Sequence, residues 1–378
     1  MNVTKPVLIP GDSTGRRTAR GDDGGLVRRA ARLGAAVLFA VAATVAAPAH
    51  SAGDPVAGAS SFAAYCGLCH VATSRLLAHG AGGVELIEQH LVDLWERGIR
   101  VPVGGAQLDD IAAYLATLHN YSGLWWNAPA GSESGWGLNL AHQGDVVFAT
   151  WFTYDASGKG IWLAMSASKV APGTYAGAFY ATKGPAFDSK PFNTAQVATA
   201  EVGTGTLTFT DDGNGTFEYK VGDVVGNKSI ARYAFGVIPT CSTVNRPFDL
   251  DLATNYQDLW WAAPAGSESG WGVHLTHQGN TIFATWFTYD VNGTPMWLVA
   301  TAPRTPGETY EGTLYRTTGP AYGAARFDPA AVVATEVGHA SFAFADGNDG
   351  TFRYTVNGVS QTKAITRQVF RSPGTVCR

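Results

Sequence analysis

The sequence is poor in charge and in methionine. Of its 378 residues, 15% are charged and only three are methionines, and no run of lysine and arginine in the part after residue 52 marks a surface for a polyanion. The 46 glycines and 11 tryptophans instead favour an exported, β-rich protein. We therefore expect no nucleic-acid partner.

Cysteine is scarce as well, and its four copies fall into two pairs. The first pair belongs to the stretch Cys66-Gly67-Leu68-Cys69-His70. This spacing is used for covalent attachment of c-type haem, where both thiols bind the porphyrin and the histidine ligates the iron. A redox Cys-x-x-Cys, a zinc half-site and a chance disulfide are the alternatives.

The surroundings of the motif favour haem. The residues after Gly53 predict a short helix that leads into the cysteines, and residues 108–118 predict an amphipathic helix. Together with the motif, these pieces resemble a small class I cytochrome c domain over residues 53–120. The resemblance implies one haem c held by Cys66 and Cys69, with His70 as the proximal iron ligand. It also implies two helices that cross beside the haem, and a role in electron transfer.

One feature of that family is missing. Its usual sixth iron ligand is a methionine ahead of the last helix, but no methionine lies between Cys66 and residue 120. His79, His90 and His119 are the nitrogen ligands that remain, and each is also compatible with an ordinary surface histidine. A histidine ligand would lower the reduction potential, whereas an empty position would leave the iron open to a small molecule.

The N-terminus has the pattern of an export signal. Arg28, Arg29 and Arg32 precede an apolar run over residues 33–47, which closes with Ala-Pro-Ala. This order predicts a signal peptide within residues 1–52, and hence a periplasmic or secreted protein with no transmembrane span after cleavage. Cleavage removes seven of 26 basic and three of 30 acidic residues, which leaves a net charge of −8. Such a chain would attract a redox partner with a basic face.

From residue 124 onward the sequence repeats itself. Residues 124–235 align with residues 259–370 at a constant offset of 135, without a gap, and Ala-Pro-Ala-Gly-Ser-Glu-Ser-Gly-Trp-Gly occurs in both copies. Alternating apolar residues and tight turns predict about seven short strands per copy. The expected fold class is therefore a multidomain α plus all-β chain. A small helical cytochrome c domain precedes two tandem antiparallel β-meander domains, each a small barrel or sandwich, over residues 121–241 and 256–378.

Aromatic and acidic residues recur at equivalent positions of the two copies. A tryptophan-lined cleft could stack on sugar rings, although a tryptophan-rich core is the simpler explanation. A glutamate and a histidine in each copy (Glu133 with His142, Glu268 with His277) could form an acid/base pair, with duty in loops and turns as the alternative. The candidate ligand-binding residues are Trp125, Trp126, Glu133, Trp136, Trp260, Trp261, Glu268 and Trp271, for a glycan or cell-envelope ligand.

The second cysteine pair, Cys241 and Cys377, follows the last strand of each copy. In an oxidising compartment the pair can form a disulfide that ties the two tails together, and free thiols or bonds to another chain are the alternatives. The repeat itself resembles modules of exported bacterial proteins to which no activity is attached. The sequence thus predicts an exported c-type cytochrome that carries electrons, with two repeats as binding modules, rather than an enzyme. A surface-binding protein with an accessory haem, and a haem sensor or peroxidase with an open iron site, are the alternatives.

Overall fold

The structure, a computed structural model, describes residues 54–65, 91, 94, 101–117, 119–242, 250–371 and 374–378. The Cys-x-x-Cys-His motif, His79 and His90 lie outside these residues. Helix α1 spans Pro55–Tyr65 and helix α2 spans Gly105–Thr117. The two helices lie against each other, and their apolar side chains Phe62, Leu108 and Ile111 are buried. No helix in the described part of the chain has both the length and the apolarity that a membrane crossing needs.

The first repeat forms a closed antiparallel barrel, barrel 1. Its strands are β1 (Gly123–Asn127), β2 (Gly137–Gln143), β3 (Val146–Tyr154), β4 (Gly160–Ala171), β5 (Thr174–Lys183), β6 (Ala198–Phe209), β7 (Asn214–Val221) and β8 (Val224–Arg232). The barrel closes because β1 pairs with both β2 and β8. A short strand β9 (Cys241–Ser242) follows.

The second repeat forms barrel 2 with the same topology. Its strands are β10 (Asp258–Ala262), β11 (Gly272–Gln278), β12 (Thr281–Tyr289), β13 (Pro295–Pro303), β14 (Tyr310–Thr318), β15 (Val333–Phe344), β16 (Asp349–Val356) and β17 (Val359–Arg367). The last strand, β18 (Val376–Cys377), pairs with β9. A disulfide between Cys241 and Cys377 joins the two tails at this ladder.

The expected fold class is wrong. The described chain is almost entirely β, with two closed eight-stranded barrels and two short helices, rather than a helical cytochrome domain followed by two β meanders. Before the barrels the described chain has only two short helices, and each repeat has eight strands where about seven were expected. An open meander would leave two strands with unpaired backbone groups, and pairing β1 with β8 removes both edges.

The two barrels pack side by side about an approximate two-fold relationship. Contacts across the seam occur in pairs that the offset of 135 interconverts: Trp162 Nε1 donates to the Thr288 carbonyl, and Trp297 Nε1 donates to the Thr153 carbonyl. Buried side chains of both barrels form one continuous hydrophobic cluster. The seam therefore has the isologous form of a homodimer interface, here within one chain.

Candidate functional site

Each barrel has a mouth at the end where its Glu-Ser-Gly-Trp-Gly loop lies. We define mouth 1 by Glu133, Trp136, Trp151, Tyr219 and Lys228, and mouth 2 by their equivalents Glu268, Trp271, Trp286, Tyr354 and Lys363. Alternate residues of a strand face the interior, so the strands bring these side chains together although up to 95 residues separate them in sequence. Both mouths have the same contacts, which identifies them as a repeated site.

In mouth 1 a glutamate contacts both a tryptophan and a lysine. Glu133 Oε2 accepts a hydrogen bond from Trp136 Nε1 at 2.9 Å, and Lys228 Nζ lies 2.8 Å from both carboxylate oxygens. The lysine also lies 6.0 Å from the centre of the Trp136 ring. The side chains of Glu133 and Lys228 are only 18% and 26% exposed, which limits solvent screening of the pair.

Mouth 2 reproduces this arrangement. Trp271 Nε1 donates to Glu268 Oε2 at 2.9 Å, and Lys363 Nζ lies 2.9 and 2.7 Å from the two carboxylate oxygens. The lysine lies 5.8 Å from the Trp271 ring centre. Because the carboxylate in each mouth already accepts from a lysine and an indole, it is a neutralised anchor for its loop rather than a free general base.

The opposite barrel covers each mouth. The loop between β14 and β15 lies over mouth 1, where Tyr219 Oη donates to the Tyr322 carbonyl at 3.3 Å. The loop between β5 and β6 lies over mouth 2, where Tyr354 Oη donates to the Phe187 carbonyl at 2.8 Å. We call these loops cap 2 (residues 319–332) and cap 1 (residues 184–197), after the barrel that supplies each. Access to one barrel therefore depends on a loop of the other.

Glycine is required where a loop of one barrel meets a cap of the other. Gly135 has φ 129°, and a Cβ there would collide with Val332 of cap 2. Gly270 has the same φ, and a Cβ there would collide with Val197, at the end of cap 1. The glycines of the repeated loop thus permit both a left-handed backbone and a close contact between the barrels.

Each mouth contains an indole N–H without a partner. Trp151 and Trp286 are both 2% exposed, and neither Nε1 atom has a hydrogen-bond acceptor in the described part of the chain. The rings themselves pack closely, with centroids 4.5 Å from Tyr219 and 4.3 Å from Tyr354 respectively. Buried donors of this kind are rare, and a water or ligand acceptor that entered the mouth would satisfy them. A ligand larger than water would have to displace a cap.

The histidines lie at the other end of the barrels. His142 accepts from the Tyr121 backbone N–H and contacts the Tyr175 hydroxyl, and His277 has the same relationship to Tyr256 and Tyr310. Burial lowers the pKa of His142 to about 3 and that of His277 to about 4. These partners differ from those of the glutamates, so the structure gives the two residue types separate roles and no shared acid/base pair.

The tryptophan pairs are placed away from the mouth centres. Trp125 and Trp260 are fully buried, and their indole N–H groups donate to the carbonyls of Tyr121 and Tyr256 at 2.9 Å. Trp126 faces outward and lines an apolar pocket between the barrels, together with Phe152 and Trp297. The structure therefore brings Trp136 and Glu133 together, and likewise Trp271 and Glu268. It places Trp125 and Trp260 in the cores and Trp126 at the seam.

Sequence reasoning did not find the lysine, the tyrosine or the cap of either mouth. Lys228 and Lys363 recur at the offset of 135, as do Tyr219 and Tyr354, so their recurrence was a usable signal. The caps gave no such signal, because only the tertiary structure shows which loop covers which barrel. Comparison of the chain with protein-family models, with curated proteins and with solved structures finds no match.

Proposed function

We propose that this chain is an exported c-type cytochrome. Cys66 and Cys69 would bind one haem c through thioether bonds, and His70 would be the proximal iron ligand. The observation that carries the proposal is the motif together with its place in the chain. It begins directly after the last residue of α1, and α1 lies against α2. Bound haem would supply an iron that gains and loses one electron.

A histidine at the junction with barrel 1 has the chemistry of an iron ligand. His119 Nδ1 lies 2.8 Å from the Asp212 carboxylate, while its buried Nε2 has no hydrogen-bond partner among the residues that the structure describes. Metal-ligating histidines commonly hold a carboxylate with one nitrogen and present the other. Among the described residues, no group of three or more potential ligands could hold a metal by itself. The carboxylate on Nδ1 and the unpaired Nε2 of His119 are the arrangement expected of a ligand to a haem iron.

The same junction, residues 119–122, packs firmly against barrel 1. Asn120 Nδ2 donates to the His142 carbonyl at 3.1 Å, and the Tyr121 ring stacks on Phe209 with centroids 3.8 Å apart. Residues 119–122 are all buried. This firm attachment supports a role for the barrels as a rigid platform, which binds a redox partner or an envelope component while the haem exchanges electrons.

The test is a visible spectrum of the mature chain produced in cells that attach c-type haem. We expect a haem that resists acid–acetone extraction, and loss of that haem in the Cys66→Ala/Cys69→Ala variant. In the reduced protein, sharp α and β bands would support a six-coordinate electron carrier, and His79→Ala, His90→Ala and His119→Ala would then identify the ligand. Absence of covalent haem from the unmodified chain would refute the proposal.

A second function, ligand binding by the barrel mouths, is favoured by the unpartnered N–H groups of Trp151 and Trp286. A hydroxyl-rich ligand such as a glycan supplies acceptors for such donors and faces for stacking on indoles. The test is the change in tryptophan fluorescence of the mature chain on addition of an oligosaccharide panel. We expect Trp151→Phe to weaken binding at mouth 1 and Trp261→Phe, which changes an indole outside the mouths, to leave it unchanged. No response to any glycan would exclude this function.

A further inference from the structure

We infer that barrel 2, and not barrel 1, carries a binding site for a small oxyanion such as phosphate or sulfate. The site is a groove of about 380 Å³ that includes the outer wall of strands β15, β16 and β17 and residue Lys190 of cap 1. The inference is independent of the haem.

The outer wall of this groove consists of hydrogen-bond donors in two rows. The register places Ser341, Arg353 and Thr362 side by side on the three strands. His339, Thr355 and Ser360 form a second such row, two residues further along each strand and on the same face. Side chains of the same face on neighbouring strands lie close enough to contact one ligand together. The groove therefore offers hydroxyl, imidazole and guanidinium groups to a single bound molecule.

The positive charge of the groove is not neutralised. Lys190 and Arg353 are exposed, and neither forms a salt bridge with a described residue. No acidic residue lines the groove. The Glu311 carboxylate lies at the edge of the groove, where it accepts hydrogen bonds from Ser341 at 3.4 Å and from Thr309 at 2.9 Å. Two unpaired cations in a chain of negative net charge favour an anionic ligand.

Barrel 1 lacks the arginine at the equivalent position. Arg353 corresponds to Glu218, whose carboxylate accepts from Asn227 at 3.1 Å, while the hydroxyl of Ser341 is retained as Thr206. Ser360 corresponds to Val225. The repeats agree in their mouths and differ here, so the difference is specific to one face of barrel 2.

The test is calorimetric titration of the mature full chain with inorganic phosphate at low ionic strength, with sulfate and acetate as further arms. We expect one site per chain, in competition with sulfate, and weaker binding of planar acetate. Arg353→Ala should weaken phosphate binding about tenfold, the effect of one lost charge-assisted hydrogen bond. Arg353→Glu should abolish binding and still fold, because barrel 1 folds with Glu218 at this position.

Lys220→Ala is the matched control, because it removes an exposed cation from the equivalent face of barrel 1. It should leave the affinity unchanged, while Ser360→Val, which installs the barrel 1 residue on the outer face, should weaken it. The inference is overturned if the unmodified chain binds neither phosphate nor sulfate. It is also overturned if Arg353→Glu binds as well as the unmodified chain, or if Lys220→Ala weakens binding as much as Arg353→Ala does.

Discussion

Trp162 and Trp297 make equivalent, reciprocal hydrogen bonds across the seam between the barrels. Each indole N–H donates to a backbone carbonyl of the opposite barrel, at 3.0 Å for Trp162 to Thr288 and at 3.2 Å for Trp297 to Thr153. Each tryptophan is nearly completely buried. The chain therefore contains two copies of one contact, and each copy is an internal reference for the other.

We expect Trp162→Phe and Trp297→Phe to destabilise the protein by similar amounts. Each change leaves a buried carbonyl without its donor, which costs about 1–3 kcal/mol in the free energy of unfolding. Urea unfolding followed by circular dichroism measures this cost. Trp261→Phe is the control, because Trp261 Nε1 has no acceptor to lose. Two clearly separate unfolding transitions would contradict the shared core.

The glutamate–lysine pairs of the mouths should stabilise both barrels. We expect Glu133→Gln to lower the free energy of unfolding by about 1–3 kcal/mol, because Lys228 then remains partly buried without its counter-charge. A double-mutant cycle with Lys228→Met isolates the pairwise contribution. The cycle of Glu268→Gln with Lys363→Met should give a similar coupling energy. A coupling near zero in both mouths would show that the pairs do not anchor the loops.

Stability should fall as the pH drops below the ordinary pKa of histidine. Burial lowers the pKa of His142 and His274 to about 3 and that of His277 to about 4. The unfolded chain therefore binds more protons than the folded chain between pH 6.5 and these values. Stability from this source is fully present above pH 6.5 and is lost progressively down to about pH 3–4, by up to about 2 kcal/mol per histidine at pH 5. Urea titrations at pH 7 and pH 5 measure the difference.

A histidine variant separates this effect from general acid denaturation. His277→Asn cannot be protonated in this range, and it retains a side chain that can accept from the Tyr256 N–H. We expect this variant to be less stable at pH 7 but to lose less stability between pH 7 and pH 5. If His277→Asn loses as much stability between pH 7 and pH 5 as the unmodified chain does, groups other than His277 cause the acid sensitivity.

The disulfide should contribute to stability as a long-range tether. Cys241 and Cys377 are 136 residues apart in sequence, and a link over such a distance restricts the unfolded chain strongly. We expect Cys241→Ser/Cys377→Ser to lower the free energy of unfolding by about 2–5 kcal/mol. Thermal unfolding with and without reductant checks the value, and the double variant should no longer respond to reductant.

The repeat offered the most information in the sequence. The constant offset showed that two equivalent units exist, and the alternation in residues 146–154 indicated a strand that the structure has as β3. The same pattern could not show closure, because pairing of β1 with β8 joins residues about 105 positions apart. Trp125 and Trp126, which are among the candidate ligand-binding residues, belong to β1, the strand that closes the sheet against β8.

For the candidate site, too, the sequence indicated the contacts within one loop but not those with distant residues. Glu133 and Trp136 are three residues apart, so the loop already indicated that they could meet. Lys228 reaches the same carboxylate from 95 residues away, and the cap comes from the opposite repeat. Periodicity places a side chain on a face of its strand, but it does not specify which other strand or loop faces it.

The sequence by itself determined the local features of this protein. These are the Cys-x-x-Cys-His spacing, the duplication, the strand periodicity and the glycines of the repeated loop. The tertiary structure decided barrel closure, the seam between the barrels and the mutual capping of the mouths. It also decided that the lysines neutralise the glutamates and that a cationic groove occurs on only one barrel. The physical reason is that local features depend on neighbours in sequence, whereas packing, charge pairing and burial depend on residues that only the folded chain brings together.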